Sequence, residues 1–144
     1  MKNVLPFFLL GALWACSPGN ETPAIADQRG QWVFINYWAE WCKPCIKEVP
    51  ELNQLDRERA DITVLGVNYD GAEGEALAAQ IDKLGITFAT LPEDPAPGLQ
   101  IPRPSVLPTT LVLDPEGRLR ETLVGPQTGE ELAAVVTRLA AASQ

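Results

Sequence analysis

The sequence predicts an α/β sandwich with a mixed central β-sheet and flanking helices. Residues 32–38, 62–67 and 109–113 are short apolar runs rich in β-branched and aromatic side chains, the composition of buried strands. Segments with apolar residues three and four apart lie between and after them, the period of helices that bury one face. The resulting order is strand, helix, strand, helix, then a hairpin and a last helix, which suits a sheet with both parallel and antiparallel neighbours. A chain of 144 residues fits one domain.

The first strand is Trp32-Val33-Phe34-Ile35-Asn36-Tyr37-Trp38, and Trp32 and Trp38 are read as core packing. After Cys42 the period becomes helical, with Ile46, Val49, Leu52 and Leu55 as the apolar stripe and Pro50 expected to kink the helix. Ile62-Thr63-Val64-Leu65-Gly66-Val67 is the second strand, and residues 74–85 form an Ala-rich helix that Gly85 ends. Residues 86–91 are a short extended stretch. The Pro-rich connection 92–104 follows, with a helical turn around Gly98-Leu99-Gln100. Thr109-Thr110-Leu111-Val112-Leu113 is the third strong strand, and Asp114-Pro115-Glu116-Gly117 turns it back into an alternating, half-exposed strand over 118–124. Thr128-Gly129-Glu130-Glu131 opens the last helix in capping-box fashion, with Leu132, Val135, Val136 and Leu139 as its buried stripe.

Ahead of this lies an address. Lys2 precedes an apolar run over residues 4–15, and about a dozen apolar residues make a signal-peptide core where a membrane span needs about twenty. Leu13-Trp14-Ala15-Cys16 resembles the lipobox of bacterial lipoproteins, although Trp14 stands where a smaller residue is usual. That resemblance implies a signal peptide over 1–15 and a lipid on Cys16, with a plain secretory signal as the alternative. Residues 16–30, rich in Pro, Gly, Asn, Thr and Ala, read as a tether, and 31–144 as the folded domain. On either reading the domain works outside the cytoplasm, in a periplasmic setting where disulfides persist. Ser17 in place of an Asp after Cys16 favours the outer membrane.

Composition removes several chemistries. The net charge is −8, whereas phosphate binding draws on clustered Lys and Arg, so nucleic acid is an unsuitable partner. The chain has no histidine, which excludes Ser-His-Asp and Cys-His catalysis and every His-containing metal site. No cofactor and no metal is implied.

What remains is Cys42-Lys43-Pro44-Cys45, placed where a strand hands over to a helix. At a helix N-terminus, unpaired N–H groups and the helix dipole favour negative charge. Cys42 is therefore expected to be the exposed thiol of lowered pKa, and Cys45, one turn in, the buried resolving thiol. Pro44 suits the first turn, where its missing N–H is not needed. Two other readings compete. A zinc site needs about four ligands, and only two thiols remain once Cys16 is set aside. An inert structural disulfide over so short a loop gains little unfolded-state entropy.

Trp38-Ala39-Glu40-Trp41-Cys42-Lys43-Pro44-Cys45 resembles the active-site signature of the thioredoxin superfamily. Arg29-Gly30, Asn36, Lys47-Glu48-Val49-Pro50, Leu107-Pro108-Thr109-Thr110, Leu113-Asp114 and Gly117 extend the resemblance to its TlpA-like branch, with the ResA-like and DsbE-like proteins. These are tethered extracytoplasmic reductases related to cytochrome c maturation factors. The resemblance implies a thioredoxin-like three-layer sandwich, a redox disulfide between Cys42 and Cys45, a cis peptide at Pro108, and an active-site flank of Trp41, Lys43, Pro44 and Leu107. It places Glu48 one turn beyond Cys45 as a proton carrier, with a solvated helix-face charge as the alternative. Asn36 stands where thioredoxin proper has a buried Asp, so that proton route is lost. Lys43 reads equally as a thiolate neighbour or a plain surface lysine. The implied partners are oxidised substrate proteins, such as apocytochrome c, and a membrane thiol electron donor; the implied state is a monomer. Rival readings are an oxidase or isomerase on the same fold, a peroxiredoxin, which the tandem cysteines disfavour, and a thiol-based Cu(I) carrier.

Overall fold

In the computed structural model, which describes residues 23–143, the apolar run at Trp32 becomes the central strand of the sheet. Strand β1 (Trp32–Trp38) is buried at all seven positions because it has a neighbour on each side and a layer on each face. It pairs in parallel with β2 (Ile62–Asn68) through helix α2 (Lys43–Glu58), and antiparallel with β4 (Thr109–Leu113). The edges are β3 (Ala89–Thr90), parallel to β2, and β5 (Leu119–Val124), antiparallel to β4, giving the order β3-β2-β1-β4-β5. The mixed sheet is as the element order predicts.

Side chains alternate along each strand, so one face of the sheet carries Trp32, Phe34, Trp38, Val64 and Val112. Helix α2 covers that face with Cys45, Val49, Leu52 and Leu55, and helix α4 (Gly129–Ala141) covers it with Leu132, Val136 and Leu139. Helix α3 (Gly74–Leu84), stopping at Gly85, lays Leu77, Ile81 and Leu84 against the same cluster. Ile46, read as part of the α2 stripe, is exposed, because the buried stripe runs through Cys45, Val49 and Leu52. Helix α2 continues through Pro50 without a break in its span. The capping box at Thr128 is present in both directions, between the Thr128 side chain and Glu131 N–H and between the Glu131 carboxylate and Thr128 N–H.

The opposite face carries Val33, Ile35, Tyr37, Leu65, Val67, Leu111 and Leu113. Among the described residues no long helix covers it. The single-turn helix α1 (Pro23–Ala26) and the Pro-rich connection form the third layer, with Ile25, Leu91, Leu99 and Ile101 pointing inward. Residues 23–30 therefore belong to the folded unit and correct the reading of 16–30 as a tether. Ile25 is 3% exposed, Gly30 N–H bonds the Pro115 carbonyl at 2.9 Å, and Arg29 donates to the Glu116 carbonyl. A polar composition hid this, because a single apolar residue supplies the anchor. Gly117 closes the β4–β5 turn at φ +76°, a conformation that favours glycine, and the Arg29 guanidinium packs close over it. The expected lipid site at Cys16 and the signal segment lie outside the described residues. Among the described residues no helix is long and apolar enough to cross a membrane.

Candidate active site

Cys42 is the N-cap of α2: its backbone is extended, at φ −83° and ψ 97°, and its sulfur accepts the Cys45 N–H at 3.3 Å. Lys43 and Pro44 occupy the first turn, where Pro44 leaves no donor unsatisfied. One turn brings the two Cα atoms to 5.3 Å, and Cys42 and Cys45 are joined in a disulfide. The bond narrows the expected contrast between an exposed and a buried thiol. Cys42 is 4% exposed and Cys45 1%, so the expectation of an exposed Cys42 is corrected: with the disulfide closed, both cysteines are buried.

Three walls surround the pair. Trp41 stands out from the corner at 64% exposure, its indole N–H held by the Asp70 carboxylate at 2.9 Å. Lys43 and Pro44 are exposed beside it. The second wall is the loop leading into β4, where the Leu107–Pro108 bond is cis, Pro108 is buried, and Leu107 packs against the core cluster that contains both cysteines. The third is the β5–α4 loop, tied to the second by the hydrogen bond from Gly125 N–H to the Pro108 carbonyl at 2.9 Å.

Glu48 lies behind the disulfide, on the α2 face that also carries Cys45, and is 2% exposed. The alternative of a solvated surface charge is thereby removed. One oxygen accepts the Gln127 backbone N–H at 2.8 Å; the other accepts the Asn36 amide at 3.0 Å, and that amide also donates to the Thr110 hydroxyl at 3.0 Å. Asn36 reaches Glu48 because it alternates with Phe34 and Trp38 on the helix-covered face of β1, and Thr110 lies opposite it in the β1–β4 register. No cation is among these partners. Burial pushes the Glu48 carboxyl up to about 7, against the smaller opposing pull of the Gln127 N–H and the Asn36 amide.

The structure thus gathers Cys42, Cys45, Glu48, Trp41, Leu107 and Pro108 at one end of the sheet. Thr110 and Gln127 were missed in the sequence. Thr110 was legible in principle, since it alternates with Val112 on the face of Asn36, whereas Gln127 takes part through its backbone, which carries no residue signature.

The AhpC/TSA family model matches residues 15–122, from before the first described residue to the end strand of the sheet. The chain belongs to the AhpC/TSA family. Among relatives of this AhpC/TSA chain, the thioredoxin-like protein YneN of Bacillus subtilis (strain 168) is 34% identical over 115 residues, covering 78% of this chain and 67% of that protein. The thiol-disulfide oxidoreductase ResA of Geobacillus kaustophilus is 30% identical over 110 residues, covering 75% of this chain and 63% of that protein. The chain thus spans about two thirds of the length of these relatives. A DsbF homologue from Corynebacterium diphtheriae superposes with a TM-score of 0.64 at 29% identity, covering 79% of this chain and 75% of its own. A secreted thiol-disulfide isomerase from Corynebacterium glutamicum gives 0.64 at 27% identity, covering 77% and 71%. The fold is thioredoxin-like, and the relatives are of the TlpA-like kind that the resemblance named.

Proposed function

We propose that the chain is an extracytoplasmic thiol–disulfide oxidoreductase that reduces disulfides in partner proteins and is tethered to a membrane through a lipid on Cys16. The observation that carries this reading is the Cys42–Cys45 disulfide at the N-terminus of α2, with a cis-proline loop beside it and a buried carboxylate behind it. A structural disulfide needs neither the loop nor the carboxylate.

In the reduced enzyme the Cys42 thiolate is stabilised by the α2 N-terminus, where the Cys45 N–H already points at its sulfur. It attacks one sulfur of the substrate disulfide. A mixed disulfide forms, and the other substrate sulfur leaves as a thiolate. Cys45 then gives up its proton and attacks the Cys42 sulfur, which closes the Cys42–Cys45 bond and expels the second substrate thiolate. Two electrons pass to the substrate, and a thiol donor at the membrane returns the enzyme to its dithiol form. Glu48 is the base for the Cys45 proton: with its carboxyl near 7 it is ionised in part of the population around neutrality and takes up a proton readily. Pro108 and Leu107 present backbone to the substrate, and Trp41 forms the opposite bank. Oxidised envelope proteins, apocytochrome c among them, fit the position outside the cytoplasm, and the protein acts as a monomer.

A Cys45→Ala variant tests the reading, because it removes the resolving thiol. It should accumulate mixed disulfides through Cys42, identifiable by mass spectrometry, while Cys42→Ser traps nothing and reduces no insulin. Failure of Cys45→Ala to trap any partner sinks the exchange mechanism. Recovery of partners that carry reduced cysteines in their working form would assign the reductive direction; recovery of disulfide-containing mature proteins would assign an oxidase or isomerase. Cu(I) competition on the reduced protein distinguishes a metal carrier.

A further inference from the structure

The connection over residues 92–104 makes up much of the layer on the Tyr37 face and feeds directly into the cis-proline loop, yet it contains Pro92, Pro95, Pro97, Pro102 and Pro104. Each proline removes a backbone donor. Among the described residues, the backbone bonds of this stretch stay inside it: Leu99 N–H to the Pro95 carbonyl, Gln100 N–H to Pro97 and Ile101 N–H to Ala96. Its polar attachment to the rest of the protein therefore falls to side chains, and those converge on the Asp94–Arg103 pair.

The Arg103 guanidinium makes three contacts at once. Its Nε donates to the Asp94 carboxylate at 2.7 Å, its Nη2 donates to the Tyr69 carbonyl at 2.5 Å, and its plane stacks 3.9 Å from the centre of the Tyr69 ring. Each contact leads back toward the cysteine corner. Asp94 also accepts the Tyr37 hydroxyl at 2.7 Å, which fixes the connection to the central strand. Tyr69 N–H bonds the Trp38 carbonyl at 2.8 Å, and the next residue, Asp70, holds the Trp41 indole. Arg103 thus ties the bank that carries Trp41 to the bank that carries Val106, Leu107 and Pro108. The same stretch forms one wall of a groove of about 410 Å³, lined with exposed Val106 and Val124 and with Thr109 and Thr122 of β4 and β5.

We propose that Arg103 is a positioning residue for polypeptide substrates: by joining Asp94 to Tyr69 it sets the separation of the two banks that hold an extended chain beside Cys42. The proposal rests on the oxidoreductase reading and adds to it. A small disulfide reaches sulfur without spanning both banks and is indifferent to their separation, whereas a protein disulfide engages both. Lysine replaces this arginine only in part. A compact ammonium keeps the attraction to Asp94 but supplies neither the forked donors nor the flat face that stacks on Tyr69.

The experiment compares full-length wild type, Arg103→Lys, Arg103→Met and Asp94→Asn in the reduction of insulin and of glutathione disulfide, with dithiothreitol as electron donor. The expected result for Arg103→Met is a KM for insulin raised about tenfold with kcat unchanged, the order lost with one charge-assisted hydrogen bond. Arg103→Lys should lie between it and wild type, and Asp94→Asn, which keeps the Tyr69 contacts, should move in the same direction. Turnover of glutathione disulfide should stay unchanged in every variant. An unchanged insulin KM in folded Arg103→Lys and Asp94→Asn overturns the proposal, as does a parallel loss on both substrates, which would mark Arg103 as merely structural. Wild type that reduces neither substrate overturns the oxidoreductase reading itself, a separate outcome.

Discussion

Replacing Glu48 by glutamine isolates the cost of burying a carboxylate that has no cation beside it among the described residues. In the native state burial lifts that carboxyl from its ordinary 4.5 to about 7. The folded protein therefore holds a proton that the unfolded chain releases. For a carboxyl raised in this way, the full contribution to stability is present below about pH 4.5 and is lost as pH climbs toward and through the folded value. A rise of that size, at about 1.4 kcal/mol per unit, removes about 3 kcal/mol between pH 4.5 and neutrality. Glutamine stays neutral throughout and keeps an oxygen for the Gln127 N–H, while its NH2 replaces the oxygen that accepts the Asn36 amide and is satisfied when that amide turns to offer its own oxygen. Urea unfolding of the oxidised protein at a series of pH values between about 5 and 8 reads the difference directly, and the other titrating groups cancel between the two proteins. The variant should match wild type within about 1 kcal/mol at the acid end and exceed its stability by up to about 3 kcal/mol at the alkaline end. The two curves running parallel would refute the argument, since Glu48 would then ionise alike in the folded and unfolded chains. Activity supplies the complementary readout. Wild-type resolution of a mixed disulfide should inflect near pH 7, and the glutamine variant should be slower and lack that inflection. A side chain that costs stability at neutral pH and gains it when removed is the pattern expected of a working proton carrier.

Two further substitutions test the frame around the site. At Gly66 a Cβ would lie 2.8 Å from the Trp38 indole nitrogen and 3.0 Å from Phe88, and Trp38 is fully buried and has nowhere to move. Gly66→Ala should lower stability by about 1–3 kcal/mol in thermal unfolding, and an unchanged melting temperature would show that Trp38 is not wedged as described. Asp114 is buried and accepts the backbone N–H groups of Glu116 and Arg118 as well as the guanidinium groups of Arg118 and Arg120. Burial alone would raise its carboxyl, but the hydrogen bonds from Arg118 and Arg120 hold it below the usual carboxylate value. Its contribution is therefore present above that usual value and lost as pH falls through the lowered one. Asp114→Ala should cost about 2–3 kcal/mol at neutral pH, with the gap to wild type closing in acid; a gap constant with pH would deny the ionic share.

How far the site could be read in advance differs from residue to residue. Cys42, Cys45, Trp41 and Pro44 are neighbours in the chain, so their spacing against the helical period already puts them on one corner. Glu48 was named through the family resemblance, which places an acidic residue one turn beyond Cys45, but its burial could not be read from α2 alone. Helix α2 presents Glu48 toward α4 and the sheet, and only the arrival of the β5–α4 loop, seventy-nine residues away, encloses it and supplies the Gln127 N–H. Ile46 erred the other way, since an apolar residue at helical spacing need not face the core when its neighbour Cys45 does. Ile25 was hidden in polar surroundings, and Arg103 sat in a Pro-rich stretch without periodicity, where no local pattern marks a side chain as a tie.

The amino-acid sequence by itself determined the main strands, helices α2, α3 and α4, the caps at Cys42 and Thr128 and the reactive pair, because each depends on residues within a few positions of one another and on the fixed periods of strand and helix. Tertiary structure decided the state of Glu48, the extent of the folded unit toward residue 23, and the clamp through Arg103. Each of these arises where distant segments close around a polar group and take its water away, and the resulting energy belongs to the enclosure and not to any stretch of chain.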